Sequence, residues 1–337
     1  MLFQNYDWHV PLIESGKNYV PSLFLWASES KEQSKVQNQS IFLCSALGHL
    51  ACVCYQELEG KEKFYEVGMA AAMLSLLTKI DDQVIDDISF HQGPFGNRSQ
   101  LEKKTKAYLA PTLHAILNAS TPSSDARCIL AAKLGQALRR LTKSEKKLEH
   151  FFELLSYGWQ TQVNAVNLFS EHPAKTIFSD IERITASISG SWLLMIASIG
   201  SMPDDVTRVL TKEEERAFFK WGGWIQKSDA LADLEKDLQD GLVSSFPGKL
   251  LWEKEPEDYL KFYQEWNFQK IYERIAFYEI DKACLPSPKE LLEIQKEFSS
   301  INRLGSLLEW IHGFLTWRYI IHDKTHTEQD DPVFKSF

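Results

Sequence analysis

The chain has 337 residues, of which 44% are hydrophobic and 12% aromatic, so it is long enough to bury a large core. Its formal net charge of −9 leaves no excess of cations to neutralise phosphates, which argues against a nucleic-acid-binding protein. The five cysteines do not form the paired spacing of a zinc site, and we expect them to be reduced thiols. Because no apolar run reaches about 18 residues, we do not expect a membrane span. Because the N-terminus lacks a basic segment followed by an apolar run, we do not expect a signal peptide.

Helical periodicity runs through most of the chain, and only 16 glycines and 12 prolines interrupt it. The segment 91–101 is predicted to be a loop from its Gly, Pro and Asn content. Helices are predicted, in chain order, over residues 40–56, 66–87, 104–118, 123–141, 144–169, 178–201, 212–239, 257–279 and 287–321.

The predicted elements form one domain without an evident break. Few strand-like alternations occur, and neither an internal repeat nor a low-complexity linker is present. The sequence therefore predicts an all-α bundle over residues 37–322, preceded by an N-terminal extension over residues 1–36. A polar tail is predicted over residues 323–337.

Four aspartates crowd the C-terminal end of the second predicted helix: Asp81, Asp82, Asp86 and Asp87. Asp82 and Asp86 are four residues apart and therefore project from one helical face. The helix dipole opposes negative charge at this end, and the carboxylates also repel one another. A bound cation would remove both penalties, so the segment is a candidate metal site, with a solvated helix face as the alternative.

A second group of carboxylates follows about 150 residues later, a separation well within one helical domain. Asp229, Asp233 and Asp237 lie four residues apart in succession, and the residues between them include small and apolar ones. Magnesium prefers carboxylate oxygens and commonly completes its coordination with water and substrate phosphates. Taken together, the two groups predict magnesium ions that bridge the protein to a diphosphate.

The segment 226–247, QKSDALADLEKDLQDGLVSSFP, resembles the second aspartate motif of the squalene/phytoene synthase family. Asp233 and Asp237 match the aspartate pair of that motif. The triple stripe that begins at Asp229 is also similar to the bacterial large-terpene synthases of the tetraprenyl-curcumene type.

The segment 79–87, KIDDQVIDD, resembles the first aspartate motif of the same family. Asp82 and Asp86 match its metal-binding pair, Asp87 follows them, and Lys79 matches a cation found three residues earlier. Near the C-terminus, the adjacent Arg318 and Tyr319 are similar to the Arg-Tyr pair that contacts diphosphate in many terpene cyclases.

The resemblance implies the isoprenoid-synthase fold, a helical bundle around a central apolar cavity, with three Mg²⁺ ions and a prenyl diphosphate substrate. It implies metal binding by Asp82, Asp86, Asp87, Asp229, Asp233 and Asp237, among which Asp82, Asp86, Asp233 and Asp237 are the expected catalytic set. Expected diphosphate contacts come from Lys79, from the Arg318–Tyr319 pair and from Lys227, which lies beside the second group. We expect a cytoplasmic protein, and an apolar substrate of this kind is compatible with peripheral contact with a membrane.

Two departures from the squalene synthases bear on the reaction. Ile184 stands where those enzymes carry a tyrosine, and Gln39 precedes Ser40 in place of a Ser-Arg anchor. We therefore expect a terpene synthase that ionises one prenyl diphosphate and ends with a linear or cyclic product. The alternatives are a squalene/phytoene-like condensation of two prenyl diphosphates and a non-catalytic helical scaffold. The sequence leaves open the substrate chain length, the product skeleton, the terminating base and the oligomeric state.

Overall fold

A computed structural model describes residues 63–85, 98–166, 181–232, 234, 246–258, 261 and 268–298. Of these residues 83% are helical and none lies in a strand, which confirms the predicted all-α class. None of the helices in this part of the chain is long and apolar enough to cross a membrane. The predicted N-terminal extension, the first predicted helix and the polar tail lie outside the described residues, and the domain limits and the central cavity stay predictions.

Ten helices carry the described part of the fold. In chain order they are α1 (Phe64–Ile85), α2 (Arg98–Asn118), α3 (Ala126–Leu141), α4 (Glu145–Ala165), α5 (Ile181–Gly200), α6 (Lys212–Ala232), α7 (Phe246–Lys254), α8 (Phe268–Phe277), α9 (Ile280–Cys284) and α10 (Pro288–Glu297). Side-chain oxygens satisfy backbone N–H groups at the starts of three of them. Asp125 accepts from the N–H of Arg127 before α3, Ser144 caps α4, and Ser287 forms a reciprocal capping box before α10.

Helix α5 lies at the centre of the bundle, packed against α1, α4 and α6. Helix α3 covers α1 and α2, while α6 is flanked on its other sides by α7, α9 and α10. The largest fully buried side chains of the main core include Trp221 and Phe218 of α6 and Phe151 of α4. Every residue from Leu193 to Gly200 of α5 is buried, as expected for a helix that neighbours enclose on several sides.

Helices α5 and α6 approach each other through glycines. A methyl group on Gly222 would lie 2.2 Å from the backbone nitrogen of Gly190, and one on Gly190 would lie 2.7 Å from the Cα of Phe219. One turn further along, Ser189 donates its hydroxyl hydrogen to the side-chain oxygen of Gln226 over 2.6 Å. The close approach therefore depends on the absence of side chains at the crossing point, and it sets the position of the second half of α6.

Helix α2 begins at Arg98, within the segment 91–101 that composition predicts to be a loop. Leu101 explains the difference, because it is buried in a small apolar cluster with Leu109 of its own helix and Val163 of α4. Burial of one leucine against a distant helix outweighs the turn-forming composition of its neighbours. The prediction of a loop over the whole segment was wrong at its C-terminal end.

Three further elements differ from the prediction, and one of them is the short helix α9, Ile280–Cys284, which was not predicted. Helix α7, Phe246–Lys254, was not predicted. Its first turn contains Pro247, and proline fits the start of a helix although it interrupts a helical pattern elsewhere. The predicted helix 287–321 does not run unbroken, because α10 ends at Glu297. Phe298 caps α10, and its buried ring packs edge-on against Phe218 with centroids 4.9 Å apart.

The turn between α3 and α4 is joined to the segment that follows α5. The hydroxyl of Thr142 donates to Asp204 over 2.6 Å, and the backbone N–H of Lys143 donates to the same carboxylate over 3.1 Å. The ammonium of Lys147 donates to the carbonyl oxygens of Pro203 and Val206 over 2.7 and 2.9 Å. The hydrogen bonds from Thr142 and Lys143 hold the pKa of the Asp204 carboxyl below its ordinary value of 3.8.

This contact makes stability depend on pH in the acidic range. A carboxyl whose pKa is lower in the folded chain than in the unfolded chain stabilises the fold above the unfolded value, and that contribution disappears as the pH falls through the folded value. We therefore expect Asp204→Asn to lose less thermal stability than the unsubstituted protein when the pH falls from about 5 to 3. Thermal unfolding followed by circular dichroism gives the melting temperature of each protein at each pH. An equal fall in melting temperature with pH for the two proteins would contradict the prediction.

Candidate functional site

The last turns of α1 carry the first two aspartates, and they lie in different environments. Asp82 accepts a hydrogen bond from the ammonium of Lys79 over 3.0 Å, and their side chains are 37% and 35% exposed. Asp82 is thus open to solvent and to a ligand on one side. The predicted contact of Lys79 with diphosphate stays a prediction, and in the structure this ammonium is held beside a carboxylate of the predicted metal site.

Asp81 is buried, although it is the immediate neighbour of Asp82. Its carboxylate accepts a hydrogen bond from the guanidinium of Arg127 in α3 over 2.9 Å, and the two side chains are 7% and 10% exposed. The same guanidinium donates to the carbonyl oxygen of Tyr108 over 2.9 Å and lies 3.7 Å from the centre of that ring. Burial raises the pKa of the Asp81 carboxyl to about 6, while Arg127 acts in the opposite direction, so the pair is mostly ionised at neutral pH.

The described part of the second group lies on α6, where Asp229 is partly exposed. Asp229 follows Gly222 by seven residues and Gln226 by three, and both of those residues contact α5. Helical spacing therefore places Asp229 on the side of α6 that faces α5. On another side of the same helix, the buried hydroxyl of Ser228 donates to the carbonyl oxygen of Cys284 in α9 over 3.3 Å.

Lys227, a predicted diphosphate ligand, lies between two aromatic rings. Its ammonium is 4.7 Å from the ring centre of Trp224 and 4.3 Å from that of Phe246. Each such contact stabilises a partly exposed cation by roughly 0.5–1 kcal/mol. The arrangement restrains the side chain near the junction of α6 and α7, and its contact with diphosphate stays a prediction.

The C-terminal ends of α1 and α6 lie at the same end of the bundle, and the last turn of α4 connects them. Ile85 of α1 belongs to one apolar cluster with Val163 and Val166. Ala165 belongs to a different cluster with Leu231 of α6. Because Val163 and Ala165 project from nearly opposite faces of α4, the two aspartate-bearing ends lie on either side of this turn.

Two polar side chains, Gln160 and Asn164, lie near the C-terminal end of α4. The amide nitrogen of Gln160 donates to the amide oxygen of Asn164 over 3.0 Å, with Gln160 exposed and Asn164 partly exposed. Helical spacing puts Asn164 between the faces of α4 that carry Val163 and Ala165. These amides can donate to a phosphate or to water bound near the carboxylates.

Several predicted site residues lie outside the part of the chain that the structure describes: Asp86, Asp87, Asp233, Asp237, Arg318 and Tyr319. Within the described ranges, no group of three or more His, Cys, Asp or Glu side chains is arranged to hold a metal ion. The fit to magnesium is therefore tested by Asp82 and Asp229 alone. Both are partly exposed carboxylates, which is the donor chemistry that a hard, partly hydrated cation requires.

Sequence reasoning missed Arg127 and Tyr108. One signal was present, since Arg127 lies in the first turn of α3, where the helix dipole disfavours a cation. A cation in such a position calls for a nearby anion, and Asp81 is that anion in the fold.

Comparisons with known proteins give no relative: no protein-family model, no curated protein and no solved structure matches the chain. The resemblance of the two aspartate segments to the squalene/phytoene synthase family thus depends on those segments alone, and what it implies belongs to the proposal that follows.

Proposed function

We propose that the chain is a magnesium-dependent terpene synthase that ionises one prenyl diphosphate and releases diphosphate to give a linear or cyclic terpene. One observation carries the proposal. The described ends of α1 and α6, near which Asp82 and Asp229 lie, are at the same end of the helical bundle, on either side of the last turn of α4.

The charges at this end favour a substrate that arrives with cations. Carboxylates on two helix ends at the same end of the bundle repel one another and would repel a diphosphate. Asp82 and Asp229, together with the predicted ligands Asp86, Asp87, Asp233 and Asp237, would hold Mg²⁺. When bound, Mg²⁺ neutralises negative charge on the diphosphate and so makes it a better leaving group.

The residues of the chain itself supply orientation and exclude water. Lys79 places a positive charge within 3.0 Å of the Asp82 carboxylate, at the edge where a phosphate would approach. On the apolar side, Trp159 packs against both the main core and the cluster that contains Ile85. An aromatic ring in that position can stabilise an adjacent allylic cation by about 0.5–2 kcal/mol and keep water away from it.

The reaction requires no second substrate. The carbon–oxygen bond of the prenyl diphosphate breaks, and its electron pair leaves with the diphosphate. The allylic cation that remains loses a proton to a base directly, or it is first attacked by a double bond of its own chain, and the cyclic cation so formed then loses a proton to a base. Ile184, where squalene synthases carry a tyrosine, is buried in the cluster with Leu231 and offers no hydroxyl at that position.

The test is incubation of the purified protein with prenyl diphosphates of ten to thirty-five carbons, with magnesium or with EDTA. We expect release of diphosphate only with magnesium, and mass spectrometry of the extract should show a hydrocarbon that contains one labelled substrate. A product with two labelled units would support condensation instead. Failure of all the substrates to release diphosphate would support the non-catalytic scaffold.

A further inference from the structure

The buried pair of Asp81 and Arg127 lies directly beside Asp82, a predicted ligand of the proposed metal site. Arg127 joins three helices: it belongs to α3, pairs with Asp81 of α1, and donates to the backbone of Tyr108 in α2 while lying over its ring. Its own backbone N–H is bound by Asp125, the cap of α3. The guanidinium is thereby fixed in place by contacts of several kinds.

The end of α1 needs such a restraint. The last turn of a helix is the part that frays most easily, and here the dipole and the mutual repulsion of the aspartates both oppose helical structure. Asp81 and Ile85 are four residues apart, and both are buried on the inner face of α1. Asp81 is paired with α3 through Arg127, whereas Ile85 belongs to an apolar cluster with residues of α2 and α4. Rotation of this turn about the helix axis is therefore restricted.

We propose that Arg127 is a positioning residue for the first metal-binding aspartate: by binding Asp81 in the interior, it holds the last turn of α1 so that Asp82 faces the ligand. This inference rests on the proposed function. Arg127 also keeps Asp81 out of the set of metal ligands, because the carboxylate is already bound to the guanidinium and lies away from solvent.

The experiment measures binding of Mn²⁺ to the full chain by electron paramagnetic resonance, with Mn²⁺ as the probe for a hard cation at carboxylate oxygens. Loss of a group that orients a metal ligand commonly lowers metal affinity by about 10–100-fold, and we expect this range for Arg127→Met. Arg127→Lys keeps the positive charge near Asp81 and should recover most of the affinity. If Arg127 only stabilises the fold, the folded Arg127→Met variant should bind Mn²⁺ with unchanged affinity.

A double variant distinguishes the positioning of Asp82 by Arg127 from the effect of its charge and from a loss of folding. Asp81→Val/Arg127→Met removes one negative and one positive charge, so the net charge near Asp82 stays the same, and apolar replacement of a buried pair often preserves folding. We expect its Mn²⁺ affinity to fall about tenfold all the same. The control Asp204→Asn weakens a contact at the turn between α3 and α4, and we expect it to bind Mn²⁺ as the unsubstituted protein does.

The outcomes distinguish this inference from the function on which it rests. If the folded double variant binds Mn²⁺ within about twofold of the unsubstituted protein, against the tenfold expected, Arg127 does not position the site. In that case magnesium-dependent release of diphosphate can still be observed. If the unsubstituted protein itself fails to bind Mn²⁺ and releases no diphosphate, both the proposed function and the inference are overturned.

Discussion

Replacement of Asp82 by asparagine is expected to lower magnesium-dependent release of diphosphate by about a hundredfold to a thousandfold, because it removes one anionic ligand of the proposed metal site. The change keeps the shape of the side chain. It also breaks the ion pair with Lys79, which spans three residues and is about one-third exposed. Since such exposed pairs stabilise a helix by about 0.5 kcal/mol or less, the free energy of unfolding should change little.

A matched control is available on α6. Glu213 forms an ion pair with Arg216, also three residues apart, at a distance of 2.7 Å on an exposed surface. Glu213→Gln removes the same kind of pair in the first turn of α6, whereas the proposed ligand Asp229 lies at the other end of that helix. We expect this variant to retain full release of diphosphate. Equal activity of Asp82→Asn and Glu213→Gln would show that the first aspartate group is only a solvated helix face.

Replacement of Gly222 by alanine is expected to destabilise the fold by about 3 kcal/mol or more, the upper part of the range for overpacking in a core. The added methyl group would lie 2.2 Å from the nitrogen and 2.5 Å from the Cα of Gly190. Both contacts are with backbone atoms of another helix, so a change of rotamer relieves neither of them. Helices α5 and α6 would have to move apart.

The adjacent glycine provides the control for this prediction. A methyl group on Gly223 would lie 3.3 Å from the Cβ of Ala186, a tight contact but not an overlap with backbone. Alanine also favours a helix interior over glycine by about 1 kcal/mol at either position, so we expect Gly223→Ala to be nearly neutral. Urea unfolding followed by circular dichroism measures both variants. A loss below about 1 kcal/mol for Gly222→Ala would mean that the crossing of α5 and α6 is more adaptable than its geometry indicates.

Much of the helical framework follows from local sequence. Helix α6 begins at the predicted residue, Lys212, and α3 ends at the predicted residue, Leu141. These limits are set by neighbours in the chain, through capping side chains and through turn residues. The short α7 and the early start of α2 were missed, because their helical state depends on burial against other helices rather than on composition.

For the candidate site, the sequence by itself determined the helical class and the presence of two carboxylate groups on apolar helices. The resemblance singled out Asp82 as a metal ligand, but the sequence did not predict what surrounds the adjacent Asp81. Only the tertiary structure decided that Asp81 is buried against Arg127, 46 residues away in the chain, while Asp82 is partly exposed. The physical reason is that burial and ion pairing depend on which helices become neighbours, and that depends on close crossings such as the one at Gly190 and Gly222.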